Sequence, residues 1–472
     1  MSGIIIQVKK TKEYCMNQSG EKRQPYFKKI ILFALPLMLT GVIQTLYNAV
    51  DLMVVGKFEG EVALAAVGST GSLTNLILGL FMGLSVGAGV CVAHGIGAKD
   101  DEDVQKSVHT SILVALILGV FVSVIGFFIA PQLLKLMGTP DDVLPSASLY
   151  VRIIFMGASA SIMYNYVAAI LRASGDSKRP LIFLTVSGLA NVFLNLLLVV
   201  GVGIGVAGVA IGTIVSQFIS ALMALLYLRK VKGPLRLSLR KLSIDKAKLK
   251  KLLLIGIPSG IQGTLFSFSN VILQSSINSF GKIVIAGSAA AANVEGIYYV
   301  IYRAFYDSTL TFVGQSVGAK KFGDIKRIVV ASIAGVLLTA VVMSSVGFLF
   351  GEHILKLYIS DSVEVLAAAS TRFNMLIVPY FLCGIMEIMS GTLRGMGRSV
   401  SAAVISLIFA CGFRVVWIYT VFKVIATPQC IYVTYPISWI MTAAVGAIFV
   451  ILAVKKEKRM QAIQVLEDVQ ID

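Results

Sequence analysis

The chain has 472 residues, 57% hydrophobic and 14% charged, with a formal net charge of +17. Soluble domains carry about 25% charged residues, so this composition excludes a soluble globular protein and points to an integral membrane protein. The basic excess alone does not imply nucleic acid, because the cytoplasmic loops of membrane proteins collect Lys and Arg.

Residues 1–24, from "MSGIIIQVKK" onward, lack the apolar stretch of a cleaved signal and read as a cytoplasmic tail. Runs of about 20 mainly apolar residues, enough to cross a bilayer as a helix, then fall near 28–55, 62–93, 108–131, 146–170, 181–201 and 205–228. After the basic stretch "LRKVKGPLRLSLRKLSIDKAKLKK" six more follow near 250–279, 283–315, 327–350, 365–392, 400–422 and 431–454. The expectation is an all-α integral membrane protein of twelve spans. Its N-lobe covers 25–229, a basic linker 230–249, a C-lobe 250–454 and a C-terminal tail 455–472. One set of loops carries Lys99, Lys106, Arg172, Lys178, Arg179, Lys320, Lys321, Lys326, Arg327, Arg394, Arg398 and "KKEKR". The opposite set carries Lys57, Lys135, Lys282, Lys356 and Lys423. That alternation puts both termini in the cytoplasm of a cell-membrane protein and accounts for the basic excess without nucleic acid.

Span one contains "LYNAVDLMVVGKF", with Asp51 in an otherwise lipid-compatible run. A carboxylate at bilayer depth costs about 2.5–3.5 kcal/mol on insertion scales, and such residues face a bundle interior or a wet cavity. Span two carries Gly79, Gly83 and Gly87, a spacing that lets helix backbones approach closely. Arg152 and Arg372, early in spans four and ten, are placed to snorkel outward. Arg172 and Arg394, at the ends of those spans, are placed to tie loops to helix C-termini.

Span eight reads "NVEGIYYVIYRAFYDST". Arg303 and Asp307 stand one turn apart and can pair on one helix face. The alternative is that Glu295 lines a central cavity with Tyr298, Tyr299, Tyr302 and Tyr306, where an acid beside aromatic faces suits an organic cation. In span ten Glu387 lies at a depth similar to Arg414 of span eleven, and an ion pair between them is expected, with substrate or ion binding by Glu387 as the other reading. Cys15, Cys91, Cys383, Cys411 and Cys430 form no CxxC pair and read as buried thiols, while His94, His109 and His353 share no metal-ligand spacing. No metal, no cofactor and no enzyme activity are expected.

The chain repeats itself. "FALPLMLTGVIQTLYNAVD" at 33–51 aligns with "IGIPSGIQGTLFSFSNVIL" at 255–273, a displacement of 222. "HGIGAKDDED" aligns with "QSVGAKKFGD", "LLKLM" with "ILKLY", and "ILRASG" at 170–175 with "TLRGMG" at 392–397. Six spans per half is an even number, so both halves enter the membrane in the same direction, as a parallel repeat with a cavity between two lobes. Such a scaffold points to a transporter. Asp51 has Leu273 as its counterpart, so this acid is not a structural feature of both halves.

The Pro-containing first span ending in "YNAVDLMVVGKF", the loop "GIGAKDDED" and "LRASGDSKRP" after span four resemble the multidrug and toxic compound extrusion (MATE) transporters over residues 25 to 455. The resemblance implies export of hydrophobic or cationic drug-like compounds, driven by inward sodium or protons. It also implies an ion site in the N-lobe at Asp51, with Asn191 and Asn195 of "ANVFLNLLLV" in span five and Thr213 of "AIGTIVSQ" in span six. Asn195 stands where the family often has a second acid. One subgroup of the family also uses an acid pair in the C-lobe, which falls here on Phe266 and Cys383, so that site is not carried over. The expectation is therefore a secondary efflux antiporter working as a monomer by alternating access in a lipid bilayer. Alternatives are a lipid-linked-sugar flippase of the same superfamily and a non-transporting membrane scaffold.

Overall fold

The computed structural model describes residues 26–359 and 362–471, so the N-terminal tail expected from the sequence lies outside the described residues. The first half comprises α1 (Tyr26–Phe58), α2 (Gly60–Ala98), α3 (Asp101–Leu136), α4 (Leu144–Met156), α5 (Ala158–Ala173), α6 (Lys178–Asn195) and α7 (Gly205–Lys230). The second comprises α8 (Lys246–Asn278), α9 (Lys282–Gly318), α10 (Phe322–Lys356), α11 (Val363–Ile377), α12 (Tyr380–Gly395), α13 (Ser399–Ser406), α14 (Phe413–Tyr419), α15 (Val421–Val424) and α16 (Pro428–Ile471). α4–α5 and α11–α12 are bent pairs of 45° and 48°; with each taken as one span, the described residues contain twelve membrane-spanning segments. The protein is all-α and crosses the membrane many times. The segment expected as a C-terminal tail continues α16 as helix to Ile471.

Large apolar side chains on the outer faces are exposed, among them Phe121 and Phe128 of α3 and Phe348 and Leu349 of α10. A water-facing surface rarely carries such contiguous patches, whereas lipid tails accept them. Each half has its own core. α1 serves both: Ile30, Phe33, Ala34 and Leu37 pack into the second half's core, while Val54 and Val55 pack into the first's.

The repeat is visible in the backbone. Among the described residues, the non-glycine residues with positive φ are Lys99 and Lys320, both at 55° and 221 positions apart. Gly60 and Gly281, at φ 83° and 85°, share that displacement, and Gly175 and Gly397, at 91° and 77°, are 222 apart. The two broken spans bend at Gly157 and at Pro379, again 222 apart. π-helical turns interrupt the fifth span of each half, at Leu196–Gly201 and Leu407–Gly412.

The halves meet along glycine seams. A Cβ on Gly83 would fall on the Gly260 backbone, and one on Gly87 on the Leu252 carbonyl. Gly79, expected in the same packing stripe, has open space instead and lines a cavity. At the end that carries the basic loops, a Cβ on Gly97 would strike the Gln315 carbonyl, and one on Gly318 the His94 carbonyl. The α2 and α9 ends thus touch there backbone to backbone. The segment between α7 and α8, with the first turn of α8, is held to α3: Ser238 N–H donates to His109 Nε2 (3.1 Å), Asp245 N–H donates to Thr110 Oγ1 (3.0 Å), and Lys248 of α8 pairs with Asp103.

Candidate ion site and substrate cavity

Asp51, Asn191, Asn195 and Thr213 come together from α1, α6 and α7. Asp51 is 8% exposed and Asn195 fully buried. Asn195 Nδ2 donates to Asp51 Oδ1 (2.5 Å), and Thr213 Oγ1 lies 3.3 Å from Asp51 Oδ2. Asn195 Nδ2 also lies 3.4 Å from Asn191 Oδ1, whose own Nδ2 lies 3.4 Å from Thr213 Oγ1. The spacing of four in α6 puts both amides on one face, and α1 is docked to present Asp51 to them. One turn before Asp51, the Tyr47 ring lies on Gly188 of α6, where any Cβ would collide with it, and its hydroxyl donates to Thr185 O (3.2 Å). Neither Tyr47 nor Gly188 stands out in the sequence; the available signal is their one-turn and two-turn spacing from Asp51 and Asn195.

Among the described residues, no Lys or Arg forms an ion pair with Asp51, and Asn195 Oδ1 is a buried acceptor without a hydrogen-bond partner. A carboxylate beside spare amide and hydroxyl oxygens can bind a hard cation through oxygen. The same carboxylate, out of water, can instead take up a proton.

A second site is a cavity of about 770 Å³ lined by α2, α5 and the helices of the second half. Glu295, Tyr299, Arg303, Asp307 and Glu387 line it. Tyr298, Tyr302 and the fully buried Tyr306 do not. Tyr298 is 3% exposed and donates to Met343 O (3.0 Å), and Tyr302 is 1% exposed and stacks on Tyr380 with ring centroids 6.0 Å apart. Their positions on α9 turn them into the second half's core.

The ion pairs also differ from expectation. Arg303 does not pair with Asp307 one turn away; its Nη1 lies 3.5 Å from Glu387 Oε2, and its guanidinium stacks 4.0 Å over the Tyr306 ring. Arg414 therefore loses the expected partner Glu387: its Nε donates to Ser438 Oγ (3.0 Å) and it stacks 4.4 Å over Tyr435. Arg372 does not snorkel. It is buried and grips Glu295 with two bonds of 2.8 Å, so Glu295 is not a bare acid. Arg394 does not tie down a loop; it is 4% exposed and reaches Tyr306 OH (2.6 Å) and Gln262 Oε1 (2.5 Å). Among the cavity-lining residues, five arginines stand against three carboxylates. The physical reason is common to all four changes: neighbouring helices offer partners that spacing along one helix cannot reveal. Phe266 and Cys383 also line this cavity.

Cys91, Cys383, Cys411 and Cys430 are buried and free. Among the described residues no group of three or more His, Cys, Asp or Glu is clustered as metal ligands would be.

A family model, MatE, matches residues 36–197 and again 258–420, once in each half. The chain is 30% identical over 396 residues to a protein of Bacillus subtilis (strain 168) named probable multidrug resistance protein YoeA, covering 82% of this chain and 85% of that one. It is 23% identical over 387 residues to the multidrug export protein MepA of Staphylococcus aureus (strain NCTC 8325 / PS 47), with the same coverage. Among solved structures, an outward-facing multidrug resistance MATE transporter of the MOP superfamily superposes with a TM-score of 0.86 at 23% identity, over 93% of this chain and 98% of that one.

Proposed function

This chain belongs to the MatE family, and on that premise we propose that it is a secondary antiporter that exports hydrophobic drug-like compounds in exchange for an inward sodium ion or proton. The two relatives named for multidrug resistance and multidrug export support the export half of this reading. The observation that carries the exchange half is the buried Asp51, held by Asn195 and Thr213 with no basic partner among the described residues. An intramembrane acid without a counter-charge is costly unless something mobile neutralises it. In the proposed cycle the cation is taken up by Asp51, Asn191, Asn195 and Thr213 in the state open at the end opposite the basic loops. Neutralised Asp51 then permits α1 to repack on α6, and substrate leaves the cavity. The ion drives the cycle only if it binds the two states with different affinity. The chain acts as a monomer, with both termini in the cytoplasm.

The test is Asp51→Asn, reconstituted in proteoliposomes and assayed for dye efflux under separately imposed sodium and proton gradients. The expected result is normal insertion with loss of gradient-driven efflux; undiminished driven efflux in the variant overturns the reading. The wild-type response to each gradient assigns the ion. A second reading, a lipid-linked-sugar flippase, draws on the excess of arginines in the cavity. It predicts lipid-headgroup translocation without dye efflux.

A further inference from the structure

We infer that the cavity takes an organic anion, its acidic head drawn to the uncommitted guanidiniums of Arg394 and Arg414 and its apolar body to the aromatic wall. The inference rests on the export reading for the cavity's being a transport site, and it replaces the cationic substrate suggested by the sequence. Two of the three acids lining the cavity are already committed: Glu295 to Arg372 through two 2.8 Å bonds, and Glu387 to Arg303 at 3.5 Å. What remains is Asp307 against Arg172, Arg394 and Arg414. Arg394 and Arg414 are 4% and 3% exposed, yet both have only neutral hydrogen-bond partners: Tyr306 and Gln262 for the first, Ser438 for the second. Arg394 Nε is a buried donor with no partner at all. A guanidinium offers paired donors that fit a carboxylate, sulfonate or phosphate, and such charge-assisted bonds are the strong ones. Phe266, Tyr299 and Trp439 line the same space and can take an aromatic or alkyl body. An organic cation would meet a field of the wrong sign.

The chain has two tryptophans, Trp417 and Trp439, and the second lines the cavity. In the Trp417→Phe background, energy transfer from Trp439 to a dansyl group therefore reports occupancy. The experiment compares dansylglycine with a dansyl probe bearing a trimethylammonium head, on the full chain in phosphatidylcholine nanodiscs. Dansylglycine is expected to bind at least tenfold more tightly. Arg394→Gln and Arg414→Gln should each weaken it at least fivefold without weakening the cation, and Arg414→Lys should retain most of the affinity. Asp307→Asn, which removes the remaining acid, should widen the preference and serves as the decisive variant if the arginine variants fail to fold. Displacement of dansylglycine by added phosphatidylglycerol would assign an anionic lipid headgroup; no displacement would assign a soluble organic acid, and both support the anionic cavity. Equal or tighter binding of the cationic probe overturns the inference, as does an unchanged preference in Asp307→Asn and the folded arginine variants. Binding is read without a gradient, so failure of the exchange reading leaves this result standing, and the reverse holds.

Discussion

Asn195 gives one amide hydrogen to Asp51 and turns its carbonyl oxygen onto the bare backbone of Gly212, so a single residue both restrains the acid and keeps an acceptor free. A Cβ at Gly212 would collide with that oxygen, the far end of a side chain that can swing away. Gly212→Ala should therefore fold normally while losing the Asn195–Asp51 bond. A hydrogen bond to a charged group contributes about 1.5–3 kcal/mol, so the ion concentration for half-maximal efflux should rise roughly 10- to 100-fold. Unchanged ion dependence in a folded variant would remove Asn195 from the proposed site. The Glu295–Arg372 pair calls for a different experiment. Glu295→Gln leaves a buried arginine without its counter-charge and should destabilise the protein by about 3–5 kcal/mol. Glu295→Gln combined with Arg372→Met should recover much of that, read as the thermal unfolding midpoint in nanodiscs. If the double variant were no more stable than the single one, the acid would matter for something other than neutralising Arg372. These two sites also mark what was legible. Asp51 stands out as an acid in an apolar span, and the family resemblance added Asn191, Asn195 and Thr213, the two asparagines sharing a face by their spacing of four. Glu295–Arg372 and Arg303–Glu387 join different helices, and the rotation of one helix against another is set by packing that a single sequence does not display.

Twelve apolar windows located the spans because a helix crossing lipid must be apolar for about 20 residues. What the windows could not show is that spans four and ten are broken at Gly157 and Pro379, or that π-turns follow Asn195 and precede Arg414. Hydropathy sums over a break as readily as over a straight helix. The glycines of α2 were partly legible for the same reason: spacing suggests a seam but not which members touch. Gly83 meets Gly260 backbone to backbone, whereas Gly79 faces open space. Gly83→Ala must push α8 away and should lower efflux at least tenfold or trap one conformation, while Gly79→Ala, whose Cβ would enter open space in the cavity wall, should leave the seam intact. Comparing the two by efflux and by cross-linking between α2 and α8 checks this. Equal effects from both would mean that glycine acts here through backbone flexibility rather than close approach.

The whole molecule carries its duplication into the contact that closes it. His94 on α2 bonds the Gly395 carbonyl at the end of α12 through Nε2 (2.7 Å), and Gln315 on α9 donates from Nε2 to the Ala173 carbonyl at the end of α5 (2.8 Å). His94 and Gln315 are 221 positions apart, Ala173 and Gly395 222, so these are one interaction written twice across the pseudo-two-fold axis. With the Gly97 and Gly318 approaches they lock the two halves at the end bearing the basic loops. A state open at that end must break both bonds together, which is how a duplicated fold makes the closure cooperative. Neutral hydrogen bonds of this kind contribute about 0.5–1.5 kcal/mol each. His94→Ala with Gln315→Ala should therefore shift the equilibrium by about 1–3 kcal/mol, roughly a 5- to 150-fold gain for the state open at the basic end. Spin labels at Lys99 and Lys320, measured by pulsed dipolar spectroscopy in nanodiscs, would read that gain as a longer-distance population. The single variants should each give about half the free-energy shift, because the two bonds are equivalent by symmetry. A double variant with the wild-type distance distribution would show that the glycine contacts alone hold the closure, and that the paired bonds merely accompany it.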